Sequence, residues 1–343
     1  MLVVRTAQIK DIDPLFDLIG QSELGLTTLK ISKEKLSSRI RDSIQAFARE
    51  DSTPAGQPYV FVMEDDSCAR IVGTSAIYSK VGGFEPFYSY EIRNQRFESR
   101  QLDVCKDIAT LYLLEAHDGP TEIGSLFLHP EYWGNGHGRL LSLSRFLFMA
   151  EFQKRFENEV VAELRGIVDK KGKSPLWSAL GSHFFQIGFP RAETLTSENK
   201  KFIADLMPRH PIYIPLLPKE AQDVIGQVHH NTRPAKAMLE QEGFAYRGIV
   251  DIFDGGPSVH AEASQIRIIR ENIQCELKKT VSQVDGIRML IAKPQLEFRC
   301  CLGNVSIEGN AATIDQDTAQ RLDLKPGDRV RLANIKPNTT QTI

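Results

Sequence analysis

The 343-residue chain lacks several features that mark particular protein classes. No apolar run approaches the roughly 20 residues that a membrane-spanning helix needs, and the first ten residues have no signal-peptide pattern. Five cysteines occur without CxxC or Cys/His spacing, which argues against a disulfide framework and a zinc site. The net charge of −2 provides no global field for nucleic acid or membrane. We therefore expect a cytoplasmic globular protein with reduced thiols, no metal, and small molecules or another subunit as partners.

The first part of the chain predicts a strand and a helix followed by further strands. Apolar residues recur at helical spacing in two segments and alternate in several others. The stretch 81–90, rich in glycine and aromatic residues, predicts a loop or hairpin. In chain order, we expect strand 2–6, helix 12–22, helix 32–49 and strands 59–64, 71–78, 111–114 and 122–128.

The remainder predicts a long helix at 140–156, a strand at 160–168 and then a less regular region. Prolines interrupt 174–218, which we expect to form an extra layer. Strand 223–228 and helix 234–242 follow, with Gly243 in the helix C-cap position, and then short β runs at 286–292, 298–302 and 310–314. We predict an α/β (α+β) fold with a mixed, largely antiparallel sheet flanked by helices. Its expected parts are 1–168, 169–262 and a small β-rich C-terminal module at 263–343.

A glycine-rich turn separates a predicted strand from a helix, in the segment Trp133-Gly134-Asn135-Gly136-His137-Gly138-Arg139. Glycines there let successive backbone N–H groups face one anion, and the helix start adds the positive end of its dipole. The pattern matches neither GxxxxGK[ST] nor GxGxxG with an acidic residue about 20 positions later. It predicts a pyrophosphate site, and a tight turn without a ligand is the alternative.

This segment resembles the acyl-CoA loop of the GNAT acetyltransferases, where an arginine or glutamine, two residues, a glycine, one residue and a glycine or alanine hold the pyrophosphate. Gly136 and Gly138 match, whereas Trp133 replaces the arginine or glutamine. The resemblance implies a GNAT-like fold in which 1–168 binds acyl-CoA, 169–262 completes the catalytic cleft, and no cofactor is permanently bound. The implied acyl-CoA-binding residues lie in the loop and in a splayed strand before it: Ser125, Leu126, Phe127, Leu128, Gly134, Gly136, Gly138 and Arg139.

A second marker lies downstream, in the segment 231–244. It contains a helix pattern followed by Gly243-Phe244, and GNAT-like domains commonly close with a strand, a helix and a Gly-Phe pair. An ordinary helix with Thr232 as its N-cap is the alternative.

Further stretches resemble the arginine N-succinyltransferase family, and together they span most of the chain. They are 138–152, 161–166, 174–177, 202–208, 211–213, 224–229 and 250–257. The resemblance implies transfer of a succinyl group from succinyl-CoA, a co-substrate, to the α-amine of L-arginine in arginine catabolism, with ornithine as a possible second acceptor. It also implies a homodimer or a hetero-oligomer with a related chain.

Transfer to an amine requires a group that takes a proton, because an α-amine is largely ammonium near neutral pH. Histidine suits this task, and His229 ends a predicted strand just before a turn. By resemblance, His229 is the catalytic acid/base. His230 is expected to face the other side of the strand, and capping of the next helix is the alternative role for either histidine. A cysteine acyl-enzyme is the competing mechanism, although no cysteine adjoins a histidine in a recognisable motif.

Other readings stay open. A GNAT-like acetyltransferase of another small amine and a non-catalytic partner subunit both fit the loop, and the run 327–331 suggests a nucleic-acid-binding module. Arginine as acceptor needs a carboxylate for its guanidinium and cations for the carboxylates of both substrates. The weighed candidates are Asp251, Asp254 and Glu85 for the first role and Arg233, Arg209 and Lys80 for the second.

Overall fold

A computed structural model describes residues 1–21, 31–49, 53–169, 171–196 and 200–337. Its helices are α1 (Ile12–Gly20), α2 (Lys33–Ala48), α3 (His137–Glu151), α4 (Pro175–Ala179), α5 (Gly181–Phe185), α6 (Phe189–Thr196), α7 (Lys201–Leu206), α8 (Lys219–Val224), α9 (Arg233–Gln241), α10 (Arg267–Glu271) and α11 (Gln316–Leu322). Its strands are β1 (Leu2–Thr6), β2 (Pro58–Asp65), β3 (Arg70–Tyr78), β4 (Gly82–Ser99), β5 (Val104–Asp118), β6 (Thr121–Leu128), β7 (Glu159–Glu163), β8 (Ile212–Tyr213), β9 (Ala245–Val250), β10 (Pro257–Glu262), β11 (Ile273–Val281), β12 (Ile287–Lys293), β13 (Arg299–Glu308), β14 (Ala311–Asp315) and β15 (Arg329–Ala333).

The strands form one mixed sheet. Their order is β12-β15-β11-β14-β13-β1-β2-β3-β6-β7-β10-β9-β4-β5-β8, and within the described residues only β6·β7 and β11·β14 pair in parallel. The expected fold class, a mixed, largely antiparallel sheet with flanking helices and a β-rich tail, is confirmed.

Helix α3 lies in the centre of the molecule. Every residue from Leu140 to Ala150 is buried, and the helix contacts β1, β3, β6, β12, β13 and α10. A helix that is covered on all sides must be largely apolar around its whole circumference, which explains its dense leucine and phenylalanine content. The start of α3 is therefore fixed by packing along its whole length.

The C-terminal strands β11–β15 close into a small barrel, because β12 pairs with both β13 and β15. The barrel has its own apolar core and is joined to the main sheet through β13, which also pairs with β1. The first strand of the chain therefore lies between β2 and a strand of the tail.

The structure corrects four predicted elements. The stretch 81–90 is not a loop: it opens strand β4 (Gly82–Ser99), which forms a hairpin with β5, so the hairpin alternative is confirmed. Its Tyr88 and Tyr90 pack in an apolar core. Segment 223–228 is not a strand, because α8 runs to Val224 and Gly226 then turns with a φ of +74°. Helix α3 starts and ends earlier than predicted, at His137 and Glu151, and β7 stops at Glu163. The end of the predicted helix 12–22 lies outside the described residues.

In the described part of the chain, no helix is long and apolar enough to cross a membrane. Those same residues contain no cluster of His, Cys, Asp or Glu side chains that could hold a metal ion. The division at 1–168, 169–262 and 263–343, the cytoplasmic location and the oligomeric state all stay predictions.

Candidate active site

Strand β6 contains a β-bulge at Ser125 and Leu126. In its pairing with β3, Gly124 lies opposite Ala76 and Phe127 opposite Thr74, so two residues of β6 oppose one of β3. Ser125 has a φ of +52°, a conformation that serine rarely adopts. A bulge leaves backbone groups outside the ladder of strand hydrogen bonds and re-aims side chains. Both bulge residues line a cavity.

That cavity opens where β6 and β7 separate. The two strands pair only at Thr121–Val160 and Glu122–Val161, and beyond this point they diverge. The space between them belongs to a cavity of about 730 Å³, which is also lined by β4, α9 and the turn after β9. This volume lies within the roughly 300–1,000 Å³ typical of small-molecule sites.

The glycine-rich turn follows the end of β6 and leads directly into α3. Gly136 is the N-cap of α3, has a φ of +83° and provides no side-chain cap. The N–H groups of the first helical turn have no carbonyl partners within the helix. A Cβ placed on Gly138 would meet nothing within 4 Å. An anion can therefore approach the backbone at the positive end of the helix dipole.

Trp133, which departs from the GNAT loop pattern, has a structural contact. Its side chain is largely exposed, and its Nε1–H donates to the carbonyl oxygen of Leu128 at 2.9 Å. The Arg139 guanidinium donates to Gln241 Oε1 at 2.6 Å and to the backbone oxygen of Ile335. The loop is thus tied to the end of β6, and Arg139 is held by α9 and the tail.

Of the predicted acyl-CoA-binding residues, the structure places Ser125 and Leu126 at the cavity. Phe127 and Leu128 continue β6 alongside Thr74 and Gly73. The loop residues gather at the start of α3, next to the end of the same strand. Their binding of acyl-CoA stays a prediction.

His229 is buried, with 8% of its surface exposed, and it precedes a 3₁₀ turn at His230–Thr232. Its backbone N–H donates to the Arg165 oxygen at 2.8 Å, and its Nδ1 accepts from the Asn231 N–H at 3.3 Å. The pKa of His229 is lowered by burial and by the positive charges of His230 and Arg165. Through its Nδ1 contact, His229 caps the 3₁₀ turn that precedes α9, and its lowered pKa keeps the ring largely neutral near pH 7. It does not line the cavity itself but adjoins Arg165, which does.

The opposite orientation expected for His230 is wrong. No strand runs through this segment, and the two histidine rings lie with centroids 4.1 Å apart. Burial distinguishes them instead, since His230 is exposed.

Three of the carboxylates that line the cavity have a raised pKa: Glu122, Glu163 and Asp251. Burial raises the pKa of all three, to about 8 for Asp251, and their mutual repulsion adds to the effect at Glu163. Each keeps some accessible surface, which fits side chains that face a cavity instead of bulk solvent. Sequence reasoning weighed Asp251 but missed both glutamates. Their signal was a carboxylate beside the apolar run of each strand.

Comparison with known proteins gives the chain a family. Residues 2–268 match the family described as "Arginine N-succinyltransferase beta subunit", and residues 274–334 match the C-terminal domain of that subunit. The chain belongs to the arginine N-succinyltransferase family. It is thus an acyltransferase, as the resemblance of its sequence implied.

Relatives in the arginine N-succinyltransferase family cover nearly the whole length of the chain. An arginine N-succinyltransferase from Photorhabdus laumondii is 41% identical over 341 residues, which span 98% of this chain and 99% of the relative. One from Escherichia coli is 40% identical over 338 residues, 98% of each chain. Among solved structures, subunit AI of the Pseudomonas aeruginosa arginine/ornithine succinyltransferase superposes with a TM-score of 0.89 at 34% identity, covering 98% of this chain and 99% of that one.

The other residues weighed as ligands for the charged groups of the substrates differ in their position relative to the cavity. Asp254, Glu85 and Lys80 also line the cavity, whereas Arg209 and Arg233 do not. Arg165 forms ion pairs with Glu193 and Asp254.

Arg145 lines the same cavity and is 2% exposed. It donates to neutral groups, among them the backbone oxygens of Ala76 and Gly124, both at 3.3 Å. Burial lowers its pKa to about 9. No ion pair of Arg145 occurs among the described residues.

Cysteine chemistry has no place in this cavity. None of the five cysteines belongs to its described lining. Cys275, Cys300 and Cys301 are buried, and burial raises the pKa of each thiol. A cysteine acyl-enzyme is therefore disfavoured, because the thiolate is the nucleophile.

Proposed function

We propose that this chain transfers a succinyl group from succinyl-CoA to the α-amine of L-arginine, as the first step of a succinyl route of arginine degradation. Ornithine is the second acceptor to be tested. The observation that carries the proposal is the bulged strand β6, which splays from β7 over a cavity and runs directly into a glycine turn at a helix N-terminus. The names of the full-length relatives support the choice of donor and acceptor.

In this proposal the CoA pyrophosphate binds at the start of α3, by backbone N–H groups and the helix dipole. The pantetheine arm follows β6, so the thioester lies at the bulge of Ser125 and Leu126. Backbone N–H groups freed by the bulge then stabilise the oxyanion of the tetrahedral intermediate. No cofactor beyond this co-substrate is required.

The reaction is a direct attack in a ternary complex. The neutral α-amine bonds to the thioester carbon, the C–S bond breaks, one proton leaves the amine, and the departing thiolate gains a proton. His229 is the proposed proton-transfer residue, since its lowered pKa keeps the ring neutral near pH 7. The neutral ring takes the proton that leaves the amine, and the imidazolium that forms gives a proton to the departing thiolate. Taking the proton at Nδ1 replaces the 3.3 Å contact that this nitrogen accepts from the Asn231 N–H.

The test is release of free thiol by the purified protein from succinyl-CoA and from acetyl-CoA, each with arginine, ornithine or no acceptor. We expect arginine-dependent release from succinyl-CoA. His229→Ala is expected to lower kcat by about 10²- to 10⁴-fold with little change in either KM, the usual contribution of a positioned acid or base. The matched control is His230→Ala, which removes the exposed neighbouring ring.

Each alternative has its own result. Release only from acetyl-CoA would favour an acetyltransferase of another amine. Binding of succinyl-CoA without release would favour a non-catalytic subunit that needs a related chain. Equal loss in both histidine variants would assign the effect to packing of the turn instead of proton transfer.

A further inference from the structure

Two of the cavity carboxylates project from one face of the sheet. Glu122 pairs with Val161 across the parallel strands β6 and β7, so their side chains share a face. Glu163 lies two residues beyond Val161 on the same strand and returns to that face. Asp251 follows β9 directly and lines the same cavity. The closeness of the three groups is also evident from the repulsion that Asp251 and Glu122 exert on Glu163.

Most positive side chains of this cavity are engaged elsewhere: Arg145 donates to backbone oxygens, and Arg39 lies over the ring of Tyr78. Arg165 is paired with Glu193 and Asp254, and Lys80 with Asp118 and Glu157. Lys200 lies over the ring of Phe87, with its Nζ 5.5 Å from the ring centroid. In the described part of the chain, no ion pair of Glu122, Glu163 or Asp251 is present. Three neighbouring carboxyl groups therefore share a partly desolvated space without a counter-ion in contact.

Buried polar atoms without hydrogen-bond partners lie at the same place. Glu163 Oε1 is shielded from solvent and makes no hydrogen bond in the structure. Ser258 lies directly opposite Glu163 in the antiparallel pair of β10 and β7, so its side chain shares that face. Ser258 is 1% exposed, and its Oγ also makes no hydrogen bond. Such atoms are few in folded proteins, because an unsatisfied buried polar group is costly.

We propose that Glu122, Glu163 and Asp251 bind the cationic end of the acceptor side chain, the guanidinium of arginine, with Glu163 as the central contact and Ser258 beside it. The inference rests on the proposed function, since it names an acceptor subsite within the same cavity. A guanidinium offers five N–H donors in a planar fork, which suits several carboxylates around one group. The acceptor's cation places a positive charge in contact with these carboxylates, on which Lys200 and Arg39 act only from a distance.

The test compares three acceptors in wild type, Glu163→Gln and a control variant. Arginine carries the cation, ornithine carries a smaller one, and citrulline has nearly the shape of arginine without the charge. We expect Glu163→Gln to raise the KM for arginine on the order of 10- to 100-fold, as expected when a hydrogen bond to a charged group is lost. The KM for succinyl-CoA and the use of citrulline should stay within about twofold.

Glu159→Gln is the matched control. Glu159 lies on the same strand and face as Glu163, but it pairs with Arg247 and His260 outside this cavity. It should leave all three acceptors unchanged. If Glu163→Gln does not fold, Glu122→Gln takes its place in the same comparison.

Two results would overturn the inference. An unchanged KM for arginine would remove Glu163 from acceptor recognition, and a fall in kcat with unchanged KM would make the carboxylates proton carriers instead. Failure of the proposed function can be distinguished from failure of this inference, because in that case the wild-type protein releases no thiol when arginine is the acceptor. The inference is then tested by titrating arginine into the wild-type protein and into Glu163→Gln. Equal affinities of the two proteins for arginine would reject the proposed subsite.

Discussion

The Asp251 carboxylate accepts hydrogen bonds from the N–H groups of Phe253 and Asp254, both at 2.7 Å. These contacts favour the ionised form, but burial and the charge of Asp254 outweigh them and raise the pKa to about 8. The folded protein therefore keeps a proton that the unfolded chain releases at lower pH. By linkage, the contribution of Asp251 to the free energy of unfolding falls as pH rises from about 4 to about 8.

Asp251→Asn should remove this pH dependence while keeping an oxygen that accepts both backbone hydrogen bonds. We expect the Tm of the variant, relative to wild type, to rise between pH 5 and pH 8 by an amount on the order of a few degrees and then to level off. Thermal unfolding of both proteins at one-unit pH intervals measures this difference. A constant offset across the range would show that Asp251 ionises normally in the folded protein.

Single residues were predictable from sequence only where a motif surrounds them. His229 followed from the resemblance of its segment to a family, and the structure adds its burial and its cap contact. Glu122 and Glu163 carry no motif, because their meaning comes from strand register. Each is an isolated acidic residue until β6 and β7 are aligned at Glu122 and Val161.

At the level of elements, alanine substitutions at the two glycines at the start of α3 should have different effects, one on folding and the other on ligand binding. Gly136 has a φ of +83°, so alanine there should destabilise the fold by about 1–2 kcal/mol. Gly138 lies in the first helical turn with open space around it, so alanine should be neutral or slightly stabilising.

If the pyrophosphate binds against this turn, the added methyl group of Gly138→Ala occupies the space the phosphate needs. We expect Gly138→Ala to keep or raise the Tm but to increase the KM for succinyl-CoA about tenfold or more. Gly136→Ala should lower the Tm. Melting curves and steady-state kinetics of the two variants provide the comparison. An unchanged KM for succinyl-CoA in Gly138→Ala would show that the pyrophosphate does not bind against this turn.

Elements with regular periodicity were predicted well, as with β1, whose predicted bounds match the structure at Leu2–Thr6. Errors arose where tertiary contacts decide the local structure. Strand β4 begins with two glycines and is extended because β5 pairs along most of its length. Segment 223–228 has β-branched residues, yet Pro218 starts a helix that ends before Gly226.

At the scale of the whole molecule, a buried ion pair joins the end of α9 to α10 and to the C-terminal tail. Glu242 is fully buried at the end of α9, and its Oε1 accepts from Arg267 Nη2 at 2.7 Å. The Arg267 guanidinium also donates to the backbone oxygen of Asn334, after the last strand of the barrel. The pair thus links α9, α10 and the tail.

Glu242→Gln leaves the buried Arg267 charge without its partner. We expect a loss of about 3–5 kcal/mol in the free energy of unfolding, measured by urea denaturation. The double variant Glu242→Gln/Arg267→Met should recover much of this loss, since both charges are then absent. A loss under about 1 kcal/mol in the single variant would mean that the pair is solvated.

The tail also bears on the nucleic-acid-binding alternative that the sequence left open. Arg329 and Arg331, the cations of the run 327–331, both bond to Glu151 at the end of α3. This basic run serves an internal contact, so the structure gives no support to a nucleic-acid-binding module. Sequence alone could not reveal this, because the partners are about 180 residues apart.

The pairing of β1 with β13 has a consequence for the order in which the chain folds during synthesis. Val3 lies opposite Cys301 and Arg5 opposite Arg299, so one edge of the first strand stays open until nearly nine-tenths of the polypeptide has left the ribosome. Contacts of such long sequence separation slow folding, and an open strand edge recruits other chains. Completion of the sheet around β1 is therefore a late step, and chains that end before β13 expose an unpaired strand edge that favours aggregation.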